Sequence, residues 1–210
     1  YGKLSGRNID DQLAGSRVEV ASYKKNPGDF VLWKPSSQNQ PGWDSPWGFG
    51  RPGWHLECST MSEESLGLPF DIHGGGMDLT FPHHENEIAQ SCGAHGEDKN
   101  PKRFVHYWIH NAMLNIGGEK MSKSLGNIFY IRDYLKKHDG EVLRLALLSG
   151  HYRQSINWTN DTIEQAKNIL DKFYRILNKV SDVKIDEEKI NTCPEKVLSA
   201  LSNDLNTSEA

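Results

Sequence analysis

His83 and Glu87 stand four residues apart. On a helix that spacing puts both side chains on one face, a turn apart, so both can reach a single ion. Cys58 lies on a preceding predicted helix and supplies a thiolate. One thiolate, one imidazole and one carboxylate form a donor set that suits Zn²⁺. The 3.6-residue period rotates the neighbouring His84 by about 100° and should keep it out of the set. Cys92 follows His83 by a helical rise of about 13 Å, too far to share the ion. A plainer reading stands beside this one. His and Glu at this spacing are frequent surface neighbours, and a lone Cys is often a small core hydrophobe. Only three donors are visible, so the site is either open or completed by a fourth ligand from outside the chain.

Two further groups suit a nucleotide. Gly74-Gly75-Gly76 follows a predicted strand, and missing Cβ atoms let a ligand lie on the backbone. Asp78 could accept from ribose hydroxyls, and His73 could hydrogen-bond a carboxylate or a phosphate. A simple Gly-rich turn explains the same letters. The loop Lys120-Met121-Ser122-Lys123-Ser124, with Gly117-Gly118 before it and Gly126 after, can close over a triphosphate and meet charge on departing pyrophosphate. Its plain alternative is a solvated basic loop.

The elements that must hold these groups follow from pattern and punctuation. Trp54–Leu66 can be helical and stops at Gly67. Phe70–His73 reads as a strand entering the glycines, and His83 to about Ala94 as a helix with Pro82 near its first turn. Phe104–Ile109 reads as a buried strand and 116–126 as a loop. Short runs at 17–20 and 29–33 are further strand candidates. Between them and Trp54 lies a loop over 34–53, where four prolines forbid a continuous helix. Trp43, Trp47 and Trp54 cluster there, either anchoring the loop or lining a ligand. A short helix is expected over 133–138 and a strongly apolar one over 141–149. Asp161-Thr162-Ile163-Glu164 fits a capping box for a helix whose face runs through Ile163, Ala166, Leu170, Phe173, Leu177 and Val180. A charged linker over 182–192 precedes a last helix over 194–205. The order is α/β first and all-α afterwards.

At 210 residues the chain suffices for one or two domains and a real core. With 36% hydrophobic and 25% charged residues it reads as globular. A net charge of -4 does not by itself point to nucleic acid, so any polyanion must meet a local patch. No run has the length of a membrane span, and the first residues have no signal-peptide core. Three cysteines, an odd and sparse set, argue against a disulfide framework and for a reducing compartment, hence a cytoplasmic protein. No initiator Met and no terminating signal are present, so a piece of a longer protein is expected.

Lys120–Ser124 matches the second signature of the class I aminoacyl-tRNA synthetases letter for letter. Arg51–Ser59 and His73–Glu87 strongly resemble the cysteinyl-tRNA synthetase family, and the likeness covers nearly the whole chain. The resemblance implies an α/β fold: the second half of a Rossmann-like class I catalytic domain, followed by an α-helical domain. Residues 1–50 resemble the end of the connective insertion and 51–115 the second catalytic half. Residues 116–160 resemble the signature loop and stem-contact region, and 161–210 the start of the helical anticodon-side domain.

The resemblance also implies roles. Cys58, His83 and Glu87 match three of four zinc ligands, the fourth being a cysteine upstream of this chain. His73 matches a residue beside the amino acid and Trp54 a wall of its pocket. Gly74, Gly75, Gly76 and Asp78 match the adenosine side. Lys123 matches the lysine that contacts ATP, and Lys120 is its loop partner. The implied protein is a cytoplasmic, monomeric cysteine–tRNA ligase that uses Zn²⁺, takes ATP with Mg²⁺, and acts on cysteine and tRNA(Cys). The family's first signature is absent, so the chain carries part of an active site and is expected to be inactive alone. Alternatives are a cysteine:amino-sugar ligase of the same superfamily, a zinc hydrolase built on His83, Glu87 and water, and a non-catalytic tRNA-binding remnant.

Overall fold

The computed structural model describes residues 1–8, 24–95, 104–184 and 192–210. The chain forms two compact units, Tyr1–His110 and Asn111–Ala210. The strand expected over 17–20 lies outside the described residues, as does most of the linker expected over 182–192.

In the first unit, β1 (Trp33–Pro35) pairs antiparallel with β2 (Gly50–Pro52). The strand expected over 29–33 therefore starts at its last residue. The expected open loop over 34–53 is an excursion closed at its base by this ladder, with Pro35 and Pro52 at opposite ends of their short strands. Trp47 lies 6.4 Å from Trp33 between ring centroids, whereas Trp54 packs on histidines described below.

Helix α1 spans Trp54–Leu66, and Gly67 ends it at φ 74° with its N–H on Glu63 O at 2.8 Å. That left-handed conformation costs glycine little. β3 (Phe70–Gly76) runs through all three glycines rather than stopping before them. A 3-10 turn (Met77–Leu79) and a π turn (Thr80–His84) follow, then α2 (Glu85–Ala94). The extended backbone of Phe81 (φ -140°, ψ 131°) interrupts the coil, so regular helix starts two residues after His83, not at it. β4 (Val105–Asn111) pairs with β3. Phe70, Ile88, Phe104 and Val105 form the core beneath this sheet, with Phe70 and Phe104 edge-to-face at 5.2 Å.

In the second unit, β5 (Leu114–Ile116) pairs antiparallel with β6 (Glu119–Lys120) and parallel with β7 (Ile156–Asn157). Gly117 and Gly118, at φ 60° and 86°, make the tight connection between β5 and β6. Positive φ at both positions matches the twist of a two-residue hairpin, so the loop expected over 116–126 begins as a β-turn. Helices α3 (Ile131–Tyr134), α4 (Gly140–Leu148), α5 (Asn160–Lys179) and α6 (Glu195–Ser202) complete the unit.

The cap of α5 is Thr159, whose hydroxyl accepts from Thr162 N at 3.2 Å. Asp161 is already inside the first turn and cannot cap it, which corrects the capping box expected there. The apolar face of α5 is buried at Ile163 and Ala166 against α4, Tyr134 and Trp158. Burying Ile163 contributes roughly 1.5–3 kcal/mol. Farther along, Phe173, Leu177 and Val180 emerge at 55%, 59% and 45% exposure, because α4 is nine residues long and α5 twenty.

Candidate metal centre and basic loop

The kinked turn before α2 places His83 and His84 inside the first unit, 4% and 2% exposed, and Glu87 follows at 0%. His83 Nε2 lies 2.7 Å from one Glu87 oxygen and His73 Nε2 3.2 Å from the other. Neither Glu87 oxygen has a hydrogen-bond partner. A buried carboxylate without hydrogen bonds suits a cation beside it. Cys58, one turn after Trp54 on α1, supplies the third donor. The ligand atoms of Cys58, His83 and Glu87 all lie within 4.8 Å of one another. Thiolate, imidazole and carboxylate at that separation fit a zinc ion.

Local electrostatics agree with that fit. Burial raises the Cys58 thiol pKa, and the Glu87 and Glu57 carboxylates raise it further. A neighbouring cation would favour the thiolate. Burial holds His83 below its ordinary value, against the pull of Glu87, so the ring is neutral and ready to ligate.

His84 stays out of the Cys58 trio, yet it is not turned away from the centre. It joins His73 and Glu87 in a second group whose ligand atoms also lie within 4.8 Å. Its Nδ1 lies 2.8 Å from His110 Nε2. Burial, then His73, His110 and His83, lowers its pKa to about 3.

Trp54 lies 4.3 Å from the His83 ring, centroid to centroid. His55 Nδ1 sits 2.7 Å from His83 Nδ1, so His83 is gripped between His55 and Glu87. His55 escaped the sequence reading, although it sits three residues before Cys58 on the same helical face. Beside it, Lys24, Lys34, Phe30, Trp54 and Asn86 line a cleft of about 320 Å³.

The bare backbone of the glycines is put to use within the protein. A Cβ on Gly75 would come within 3.0 Å of the His84 ring and of Leu79, and one on Gly76 within 2.5 Å of Asp78 Oδ1. Asp78 lies in the 3-10 turn just beyond them.

Glu85 and Asn86 were also missed. Glu85, 1% exposed, accepts Gly2 N at 2.9 Å, Leu4 N at 2.7 Å and Ser5 N at 2.8 Å, together with the Ser5 hydroxyl. Tyr1 donates its hydroxyl to Asn86 Oδ1 at 2.5 Å. The start of the chain is thus tied to the helix that carries Glu87.

Trp54, Cys58, His73, His83 and Glu87 are gathered in the first unit, with Gly74–Gly76 and Asp78 next to them. Lys120 and Lys123 belong to the second unit. Lys120 ends β6 and Lys123 lies on the loop that leaves it, both exposed. Met121 N donates to Leu114 O at 3.0 Å and anchors the loop's first limb.

Residues 1–168 match the family model described as tRNA synthetases class I (C) catalytic domain. Proteins named Cysteine--tRNA ligase resemble the chain along its length. That of Parvibaculum lavamentivorans is 55% identical over 210 residues, covering 100% of this chain and 44% of its own. That of Xanthomonas campestris pv. campestris is 58% identical over 210 residues, with the same coverage of 100% and 44%. That of Paramagnetospirillum magneticum is 58% identical over 207 residues, covering 99% and 44%. The chain thus spans under half the length of these relatives. Among solved structures, the ternary complex of Agrobacterium radiobacter K84 agnB2 LeuRS with tRNA and LeuAMS aligns at TM-score 0.58 and 16% identity, covering 80% of this chain and 28% of that one. At that identity the likeness concerns the fold alone. With the family match it gives a Rossmann-like α/β fold.

Proposed function

Since the chain belongs to the class I (C) tRNA synthetase catalytic-domain family, we propose that it is part of a cysteine–tRNA ligase. We assign residues 1–50 to the end of the connective insertion, 51–115 to the second catalytic half, 116–160 to the signature loop and stem-contact region, and 161–210 to the start of a helical domain. The observation that carries the reading is the trio of half-buried Cys58 with buried His83 and Glu87, both Glu87 oxygens lacking a hydrogen bond. The names of relatives at 55% and 58% identity support it. Among the described residues no helix is long and apolar enough to cross a membrane. A monomeric, cytoplasmic enzyme belongs to the same proposal.

The reaction has two steps. A carboxylate oxygen of cysteine attacks the α-phosphorus of ATP, the bond to pyrophosphate breaks, and cysteinyl-adenylate forms. A ribose hydroxyl at the end of tRNA(Cys) then attacks the activated carbonyl, and AMP leaves. Positioning and charge neutralisation supply most of the first step. Trp54 walls the amino-acid pocket, and His73 orients the carboxylate. Gly74, Gly75, Gly76 and Asp78 support the adenosine. Lys120 and Lys123 meet charge on the leaving pyrophosphate, and Mg²⁺ taken up with ATP would neutralise part of that charge.

Cys58, His83 and Glu87 would hold Zn²⁺, which supplies a soft-leaning partner for the substrate thiol. That chemistry suits the selection problem. Serine differs from cysteine by one atom, and a hydrophobic pocket alone separates such isosteres poorly. A sulfur-preferring ligand sphere separates them by bonding rather than by size.

The test is cysteine-dependent ATP–pyrophosphate exchange, followed by charging of tRNA(Cys), in the complete protein. Replacing Cys58 with Ala should raise KM for cysteine at least about tenfold, as expected for a lost ligand, with KM for ATP little changed. Equal losses for both substrates, or ligation of cysteine to an amino-sugar in place of tRNA, would sink the reading.

A further inference from the structure

We propose that Asn127 is a positioning residue for the basic loop: its side-chain amide braces Lys120–Ser124 into the shape that presents both lysines. This rests on the reading of the loop as a pyrophosphate clamp.

Ladder pairing ends at Lys120, the second and last residue of β6. Beyond Met121, whose N–H reaches Leu114 O, the loop pairs with no strand among the described residues. Asn127 crosses the gap from the far limb. Its Oδ1 accepts from Ser122 N at 2.8 Å, and its Nδ2 donates to Lys120 O at 3.3 Å. These two backbone groups flank Met121, so a single amide fixes the chain on both sides of the point where the loop leaves the sheet. One partner is a donor and the other an acceptor, which also sets the orientation of the amide.

The remainder of the loop folds onto that brace. Ser122 Oγ accepts from Leu125 N at 3.3 Å and pairs with Ser124 Oγ at 3.1 Å. Gly126, at φ 65°, sends its N–H back to Lys123 O at 3.2 Å and turns the chain so that Asn127 faces inward. Lys120 and Lys123 stay exposed, while Ser122 and Asn127 are half-buried. The hairpin is held from its other side by Asn157 of β7, whose Oδ1 accepts from Gly118 N at 3.1 Å. That contact secures the turn, and Asn127 secures the limb after it.

Alanine removes both hydrogen bonds. Aspartate keeps the acceptor for Ser122 and loses the donor to Lys120 O. In the complete protein, Asn127→Ala should lower kcat of cysteine-dependent pyrophosphate exchange about tenfold, the weight of a lost hydrogen bond or two. KM for cysteine and the thermal midpoint should be unchanged, and Asn127→Asp should fall between alanine and wild type. Trypsin should cleave after Lys120 and Lys123 faster in Asn127→Ala. The proposal is overturned if kcat stays within about twofold of wild type. It is also overturned if the loss tracks a lowered thermal midpoint, or if cleavage at the two lysines is unaltered. Failure of the wild-type protein to exchange pyrophosphate with cysteine would instead remove the functional reading. The tryptic difference would still report on the brace.

Discussion

Glu85 and Glu87, two residues apart and both buried, meet the cost of a dry carboxylate in opposite ways. Glu85 is surrounded by donors from the chain itself: three backbone N–H groups and a hydroxyl. Glu87 has neighbours at short range and no hydrogen bond to either oxygen. Glu85→Ala should therefore cost about 3 kcal/mol, since it strands buried donors that had been bonded to a charged group. Urea unfolding of the complete protein measures this, and a loss under about 1 kcal/mol would mean that Gly2–Ser5 finds water instead. Glu87→Gln should behave differently. Without metal it should be neutral or stabilising, because an uncompensated buried charge is gone. With zinc it should lose the bound metal and the stabilisation that metal confers. Paired melts with and without zinc, read beside metal content, decide the matter. A metal-free loss as large as that of Glu85→Ala would count against a cation at Glu87. The contrast also explains what could be read from the letters. Cys58, His83 and Glu87 are donors of recognisable type at recognisable spacing. Most partners of Glu85 are main-chain amides some eighty positions away, and any residue type but proline could provide them.

Elements with local punctuation were legible. Helix α1 begins and ends where its sequence indicates, because Gly67 provides the left-handed stop. The strand expected over 29–33 was misplaced, because pairing of Trp33–Pro35 with Gly50–Pro52 is decided by contacts some seventeen residues apart. The start of α2 was misplaced because Phe81 adopts an extended conformation within the preceding coil. The attachment of α6 has no sequence signature at all. Just after that helix, Asp204 receives Arg153 Nε at 2.5 Å, Arg153 Nη2 at 3.1 Å and the Tyr152 hydroxyl at 2.6 Å. The bonds from Arg153, then Tyr152, hold its carboxyl near 2, below its usual 3.8. Asp204 is depressed in the folded state, so its contribution is full above about pH 4 and is lost as pH falls through about 2. Acidification across that window should release α6, and Asp204→Asn should do the same at neutral pH. Hydrogen exchange of the amides of 195–202 reports the release, and unchanged protection in the variant would assign the anchoring to Thr207, whose hydroxyl bonds Leu148 O at 2.8 Å.

At the scale of the whole chain, the chemistry is divided. Read as sequence, Cys58 to Ser124 is one continuous functional stretch. The fold cuts it after His110. Every candidate metal ligand lies before the cut, and both lysines with their Asn127 brace lie after it. The letters could not reveal this, because the boundary falls within β4 rather than in a linker rich in Pro, Gly or charge. The division has a consequence for metal removal. Zinc bound by Cys58 and His83 would join α1 to the turn before α2, so its binding energy would stabilise that pair of helices directly. The core of the second unit, formed by Val142, Leu143, Ala146, Trp158, Ile163 and Ala166, contains no candidate ligand. Stripping zinc from the complete protein with a chelator should therefore raise hydrogen exchange in 54–66 and 85–94, and raise KM for cysteine. Exchange in 140–148 and 160–179, and KM for ATP, should stay within about twofold, since local opening costs are set by local contacts. Loss of protection in 140–148 on chelation would mean that the metal supports the whole chain. In that case Cys58, His83 and Glu87 would be a structural staple rather than a selector of substrate.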